Sequence, residues 1–149
     1  MSTVATAIPA ARATTARRQA RALTVALTML AALALWAIAE YGFGLDLRSP
    51  AFGAGGSADI GVVNVLLAAL IGSAAGWALL AVLERFTARA RKLWTAGAIV
   101  ALLVSLGGPF GGTGITASNR LVLALMHVVV AGVVIAGLYR SSARAEDAA

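Results

Sequence analysis

The sequence predicts an all-α membrane protein, a four-transmembrane-helix antiparallel bundle with both termini in the cytoplasm. Of its 149 residues, 60% are hydrophobic and 12% are charged, whereas soluble domains carry about 25% charge. The few charges divide the chain into four uncharged stretches of bilayer-spanning length. Ten of the twelve basic residues lie in segments that four antiparallel spans would place on one side of the bilayer.

The composition excludes several classes of protein. A mean hydropathy of +0.90 leaves too little polar surface for a water-soluble globule or a disordered chain. It also argues against a nucleic-acid partner despite a pI near 11.4. The chain has no cysteine, so disulfides and thiolate metal sites are excluded.

The first two spans are defined by their flanking charges. Roughly 20 apolar residues are needed to cross a bilayer. The first uncharged stretch, 22–39, is close to this length, and we predict a span over 22–41 with Trp36 near the outer interface. The second, 60–83, is longer than the first, and its length is enough for a tilted crossing.

Glycine and proline interrupt the third stretch. It extends without a charge from Leu93 to Asn119, but five glycines and Pro109 make its second half a poor helix. We predict a span over 93–106, either as a short helix or with the Pro-Phe-Gly-Gly segment held at membrane depth by its neighbours. The fourth span is predicted over 121–139, which again matches the length of one crossing.

The basic residues predict the orientation. The ten on one side precede span one, separate spans two and three, or follow span four: Arg12, Arg17, Arg18, Arg21, Arg85, Arg89, Arg91, Lys92, Arg140 and Arg144. Only Arg48 and Arg120 lie on the other side. The positive-inside rule then predicts a multi-pass protein of the cell membrane. Residues 1–21 and 141–149 are predicted to be disordered cytoplasmic tails on a transmembrane domain, 22–140.

The first span has an alternative interpretation. A basic segment, an apolar stretch and the triplet Ala37-Ile38-Ala39 also fit a cleaved signal peptide. The apolar stretch is longer than the apolar region of a typical signal peptide, and bulky Trp36 crowds the cleavage site. We therefore favour retention of span one in the mature protein.

The patterns that mark enzymes are missing. There is one histidine, and Asp and Glu do not occur at metal-ligand spacing within a span. The segment Gly111-Gly112-Thr113-Gly114 is not a phosphate loop, because no strand precedes it and no Lys follows it. We predict no enzymatic activity, no cofactor and no nucleic-acid partner.

Small residues at a spacing of four predict helix-packing faces. They are Gly72 and Gly76 in span two, Gly97 and Ala101 in span three, and Gly132 in span four. Such faces let helix backbones approach closely. They favour packing within one bundle, and the alternative is contact with a second copy or a membrane protein partner. The other expected partner is the lipid bilayer.

Five polar residues at the outer ends of the spans form the candidate site. They are Glu40, Asn64, Ser105, Arg120 and His127. Polar groups in lipid are costly and are functional candidates by default. We expect Glu40 to pair with Arg120, and His127 to bond Asn64 or Ser105. Such contacts are structural or, alternatively, line an outward-facing cavity.

Several motifs together resemble a known group of proteins. They are Val63-Asn64, an Arg-rich loop before Trp94, Ser105-Leu106-Gly107-Gly108-Pro109 and Leu125-Met126-His127. Over residues 20–140 the chain resembles an uncharacterised family of small four-helix actinobacterial membrane proteins. The resemblance implies a fold and a location but no activity. We expect a structural or accessory membrane subunit, with a small transporter or channel as the alternative.

Overall fold

The computed structural model describes residues 7–51 and 56–142, with side chains from residue 13 onward. Within these residues the helices are α1 Ala7–Ala37, α2 Val62–Phe86, α3 Ala90–Ser105, α4 Gly107–Gly111 and α5 Ala117–Ser141. Strands β1 Arg48–Ser49 and β2 Ala58–Asp59 form a short antiparallel hairpin.

Four helical segments are long and apolar enough to cross a bilayer: Ala13–Gly42, Val62–Phe86, Ala90–Gly111 and Ala117–Ser141. The predicted all-α, four-span fold is therefore confirmed. The observed segments are longer than the predicted spans 22–41, 60–83, 93–106 and 121–139. Hydropathy locates the apolar centre of each helix, whereas helices continue into the polar residues that flank it.

The first helix begins earlier than the sequence predicted. Residues 7–21, expected to be disordered, are the first turns of α1. Ala and Arg are strong helix formers, and extending an existing helix avoids the cost of nucleating a new one. At the other end Ser141 closes α5 and Ser142 is buried. The remaining predicted tail residues, 1–6 and 143–149, lie outside the described residues.

The first span closes with a π turn, Ile38–Gly42. Trp36 precedes this turn, and its Nε1 donates to the carbonyl oxygen of Ile60 at 2.8 Å. The rings of Trp36 and Tyr41 meet edge to face at 5.7 Å. These aromatic contacts fix the end of α1 against the start of α2.

The third span has a bend where the sequence predicted a stop. α3 ends at Ser105, the chain turns at Leu106, and α4 continues to Gly111. Pro109 is buried in the first turn of α4, where a helix does not require its missing N–H. The glycine-rich segment thus contacts the bundle through Pro109, and its depth in a membrane stays a prediction.

The core has two apolar clusters. At the loop end, where the two longer connections lie, Ala32, Val65 and Met126 join α1, α2 and α5. At the Arg-rich end, which holds the α2–α3 turn, Trp94 packs with Leu80 and Leu138. α3 is peripheral. Within the most apolar 18 residues of each span, 11% are buried inside the bundle in the third span, against 22% in each of the other three.

Large apolar side chains cover the outside of the helices. Leu30, Ile71, Leu103 and Val104 are all more than 60% exposed. Water would make this surface unfavourable, whereas hydrocarbon is a matching solvent for it. The exposed surface is consistent with the expected lipid environment.

Candidate functional site

The carboxylate of Glu40 binds backbone at the loop end. Glu40 lies in the π turn, and its Oε1 accepts a hydrogen bond of 3.0 Å from the backbone N–H of Leu47. Leu47 itself is buried in the core. A charged acceptor strengthens a bond to a backbone N–H, so Glu40 anchors the segment that follows α1.

Arg120 caps a helix end. Its Nη1 donates to the carbonyl oxygens of Pro109 at 3.0 Å and Phe110 at 3.2 Å, and its Nη2 donates to that of Gly112 at 2.7 Å. The last carbonyls of a helix lack intrahelical partners and carry partial negative charge, which a cation stabilises. The predicted Glu40–Arg120 ion pair is wrong, because each of the two groups binds backbone instead.

The other three predicted polar residues are not brought together. His127 Nδ1 lies 2.7 Å from the carbonyl oxygen of Leu123 in its own helix. Ser105 Oγ donates to the carbonyl oxygen of Leu102 at 2.7 Å. Asn64 is exposed near the start of α2. The predicted bond from His127 to Asn64 or Ser105 is therefore wrong.

Asn119, which sequence reasoning missed, joins the start of α5 to the segment that follows the first span. Asn119 is 5% exposed. Its Nδ2 donates to the carbonyl oxygen of Asp46 at 2.9 Å, and its Oδ1 accepts from the N–H of Arg48 at 3.4 Å. The signal was present, because an amide before Arg120 at the start of a span is well placed to satisfy loop backbone.

Backbone contacts complete the loop end. Ala51 and Thr113 exchange two hydrogen bonds, of 2.9 and 3.2 Å, which join the two loops. A Cβ on Gly112 would lie 2.6 Å from Pro50 Cβ and 2.7 Å from the carbonyl oxygen of Ala51. Only glycine allows this approach, so the loop between α4 and α5 is packed, not a loose hairpin.

A buried ion pair lies at the Arg-rich end. Arg21 Nη2 donates to both carboxylate oxygens of Glu84, at 2.6 and 2.8 Å, and lies 3.2 Å from the carbonyl oxygen of Ser141. The side chains of Arg21 and Glu84 are 5% and 15% exposed. This pair ties α1, α2 and α5 together.

A second arginine attaches α3 to the same end. Arg91 Nε donates to Ser142 Oγ at 2.6 Å, and its Nη2 donates to the Ser142 carbonyl oxygen at 2.9 Å. The guanidinium also lies 5.1 Å from the centre of the Tyr139 ring, within cation–π range. Arg21 and Arg91 together connect all four spans.

Buried hydroxyls line the interior between these two ends. Thr24, Thr28 and Ser73 are buried, and each donates to the carbonyl four residues earlier in its own helix, at 2.9, 2.8 and 2.6 Å. Their donor protons are therefore used within single helices. These hydroxyls form no hydrogen-bonded path between helices in the described part of the chain.

Of the five small residues predicted to pack helices, one contacts other helices of the bundle and four are exposed. A Cβ on Gly76 would lie 3.6 to 3.8 Å from Leu138, Val134 and Trp94, and Trp94 Nε1 donates to the Gly76 carbonyl oxygen at 2.8 Å. The remaining four are exposed: Gly72, Gly97, Ala101 and Gly132. Packing within the bundle, which the sequence favoured, thus holds for Gly76 alone.

A close approach of α1 and α5 occurs at a glycine that sequence reasoning missed. A Cβ on Gly137 would lie 2.9 Å from Thr24 Cβ and would overlap the Oγ1 and Cγ2 atoms of that residue. Gly137 is followed four residues later by Ser141. This small-xxx-small spacing is the signal that marks it.

The contacts described above stabilise helix ends and loops. No three His, Cys, Asp or Glu residues lie close enough to hold a metal ion within residues 7–51 and 56–142. Comparison with known proteins finds no match among curated proteins or solved structures. Residues 12–144, which include all four spans, match DUF6069. The chain therefore belongs to DUF6069, a family of unknown function.

Proposed function

We propose that this protein is a structural or accessory subunit of the cell membrane with no catalytic activity. The proposal rests on the hydrogen-bond partners of the protein's polar side chains. Glu40 and Arg120 bind loop and helix-end backbone, and Ser105 and His127 bind their own helices. Contacts of this kind stabilise a scaffold by tying side chains to the backbone of the same protein.

The transporter or channel alternative receives less support from these contacts. It requires several polar groups to face one shared cavity and a route across the bundle. Glu40, Ser105, Arg120 and His127 bind separate backbone partners and Asn64 is exposed. The ion pair of Arg21 with Glu84 lies at the Arg-rich end. An accessory role is the better account of both features.

The proposal places the Arg-rich end and both termini in the cytoplasm, as the positive-inside rule predicts. It also retains span one in the mature protein. Thr28 and Ala32 of that span are almost fully buried in the bundle, so removing the span would expose core. An actinobacterial source, implied by the family resemblance, remains part of the proposal.

An accessory subunit needs a surface for its partner, and we assign this role to α3. Gly97 and Ala101 lie one turn apart and are exposed, with nothing within 4 Å of a Cβ built on Gly97. Small residues at this spacing let a second helix approach closely. α3 is also the least buried span. The occupant that we propose is a helix of another membrane protein.

Site-specific photocrosslinking in native membranes tests this proposal. A photoreactive residue at Ala101 should give a discrete crosslinked protein species, and Gly97→Leu should abolish it by filling the approach. A photoreactive residue at Val128, which is 48% exposed on α5, is the matched control and should crosslink lipid alone. The substitution Val100→Leu should leave the species intact.

Two outcomes would overturn the accessory role. One is crosslinking to lipid alone at Ala101, as is expected at Val128, which would mean that no protein covers α3. The other is a crosslinked species with twice the mass of this chain, which would identify a homo-oligomer.

A further inference from the structure

The described cations of the Arg-rich end include two that are held in contacts and five that are exposed. Arg21 and Arg91 are engaged with Glu84 and Ser142, as described above. Five others are exposed and make no side-chain hydrogen bond or ion pair within residues 7–51 and 56–142: Arg18, Arg85, Arg89, Lys92 and Arg140. The exposed set is available to an external anion.

Three of these cations are concentrated at one turn. α2 ends at Phe86 and α3 begins at Ala90, so Arg85, Arg89 and Lys92 lie within two adjacent helix ends. The first turn of α3 contains no acidic residue, and the nearby carboxylate of Glu84 is bound to Arg21. The positive charge of this turn has no internal counterion among the described residues.

The neighbouring apolar residues set the depth of this charge in a bilayer. Phe86 is 82% exposed and Leu93 is 53% exposed, and they adjoin Arg85 and Lys92 in the sequence. Large apolar side chains favour hydrocarbon, and the adjacent cations favour the headgroup layer. These two preferences together would place the turn at the level of lipid phosphates, and this favours a lipid over a soluble acidic partner.

We propose that Arg85, Arg89 and Lys92 form a binding surface for the phosphate headgroups of anionic phospholipids. Guanidinium groups bind phosphate oxygens through paired N–H donors, and the lysine adds a third charge. Zwitterionic lipids present the same phosphate with a compensating cation, so the surface selects for net negative headgroups. The proposal does not depend on the partner assigned to α3.

Lipid binding to the purified full-length protein tests this surface. Native mass spectrometry would compare the retention of phosphatidylglycerol and phosphatidylcholine at equal concentration. Each Lys or Arg near an anionic surface strengthens binding about fivefold. We expect the native protein to favour phosphatidylglycerol by more than about tenfold, and the triple variant R85Q/R89Q/K92Q to favour it by less than about twofold.

Matched variants separate a local surface from diffuse charge. R18Q/R140Q removes two exposed cations from the same end and should keep at least half of the native selectivity. R48Q, at the opposite end, should keep all of it. Thermal unfolding in micelles of a phosphocholine detergent should match the native protein for every variant, which shows that folding is intact.

Three results would overturn the proposal. The first is equal retention of the two lipids by the native protein. The second is loss of selectivity in R18Q/R140Q as large as in the triple variant. The third is full displacement of phosphatidylglycerol by inorganic phosphate at the same concentration, which would indicate a site for a free anion.

Discussion

Replacing Arg21 by alanine should lower the free energy of unfolding by about 3–5 kcal/mol. The substitution leaves the carboxylate of Glu84, whose side chain is 15% exposed, without the guanidinium that binds both of its oxygens. It also removes a donor from the Ser141 carbonyl oxygen. Unfolding of the purified protein by SDS titration in mixed micelles, followed by circular dichroism, measures the loss.

Two companion variants make this result specific to the ion pair. Arg18→Ala removes an exposed cation one turn away and should change stability by less than about 0.5 kcal/mol. Replacing both partners, as Arg21→Met with Glu84→Leu, should recover most of the loss, because apolar groups of similar volume need no counterion. Equal stability of the Arg21→Ala and Arg18→Ala variants would show that the pair contributes nothing.

Gly137→Ala should cost about 1–3 kcal/mol, the usual range for overpacking a filled interior. Rotating the side chain of Thr24 moves its Oγ1 and Cγ2 atoms away from the added methyl group but leaves Thr24 Cβ at 2.9 Å. α1 and α5 must therefore separate. The same SDS titration measures the effect.

Gly132→Ala is the matched control on the same helix. Nothing lies within 4 Å of its added Cβ, and the residue is exposed, so stability should stay within about 0.5 kcal/mol. The second substitution Thr24→Gly should restore much of the loss in Gly137→Ala, because it removes every atom in the overlap. Equal effects of the two alanine substitutions would contradict the close approach.

The spans were predictable because a bilayer imposes one strong rule. Each crossing must be helical and apolar over a fixed length, so Glu40, Asp59 and Glu84 lie close to the ends of the observed segments. The first turns of α1 and the continuation through α4 were missed. Both are determined by attachment to a neighbouring helix, which residue composition does not show.

The helix contacts were harder to predict from the sequence. Spacing alone identified Gly76 but also Gly72, Gly97, Ala101 and Gly132, which are exposed. A small residue permits close approach only where a second helix passes, and that depends on the relative rotation of both helices.

Opposite charges at one end of the bundle were a usable signal for ion pairs, but the pair that was predicted from the sequence was wrong. Arg21 begins the first span and Glu84 ends the second, so in antiparallel helices these opposite charges lie at one end and can pair. Glu40 and Arg120 also share an end, yet they bind backbone. Helix termini and tight loops carry unpaired N–H and C=O groups. Because such groups lie near Glu40 and Arg120, they bind both charged side chains.

Topology mapping tests the central claim, a bundle that crosses the membrane four times with its Arg-rich end in the cytoplasm. A paired reporter, active on either the cytoplasmic or the outer side, is inserted after Ala90, after Ser142, at Gly56 and at Gly114. We predict cytoplasmic signal at the first two sites and outer signal at the two glycines. Cytoplasmic signal at Gly56 would contradict the four-span account.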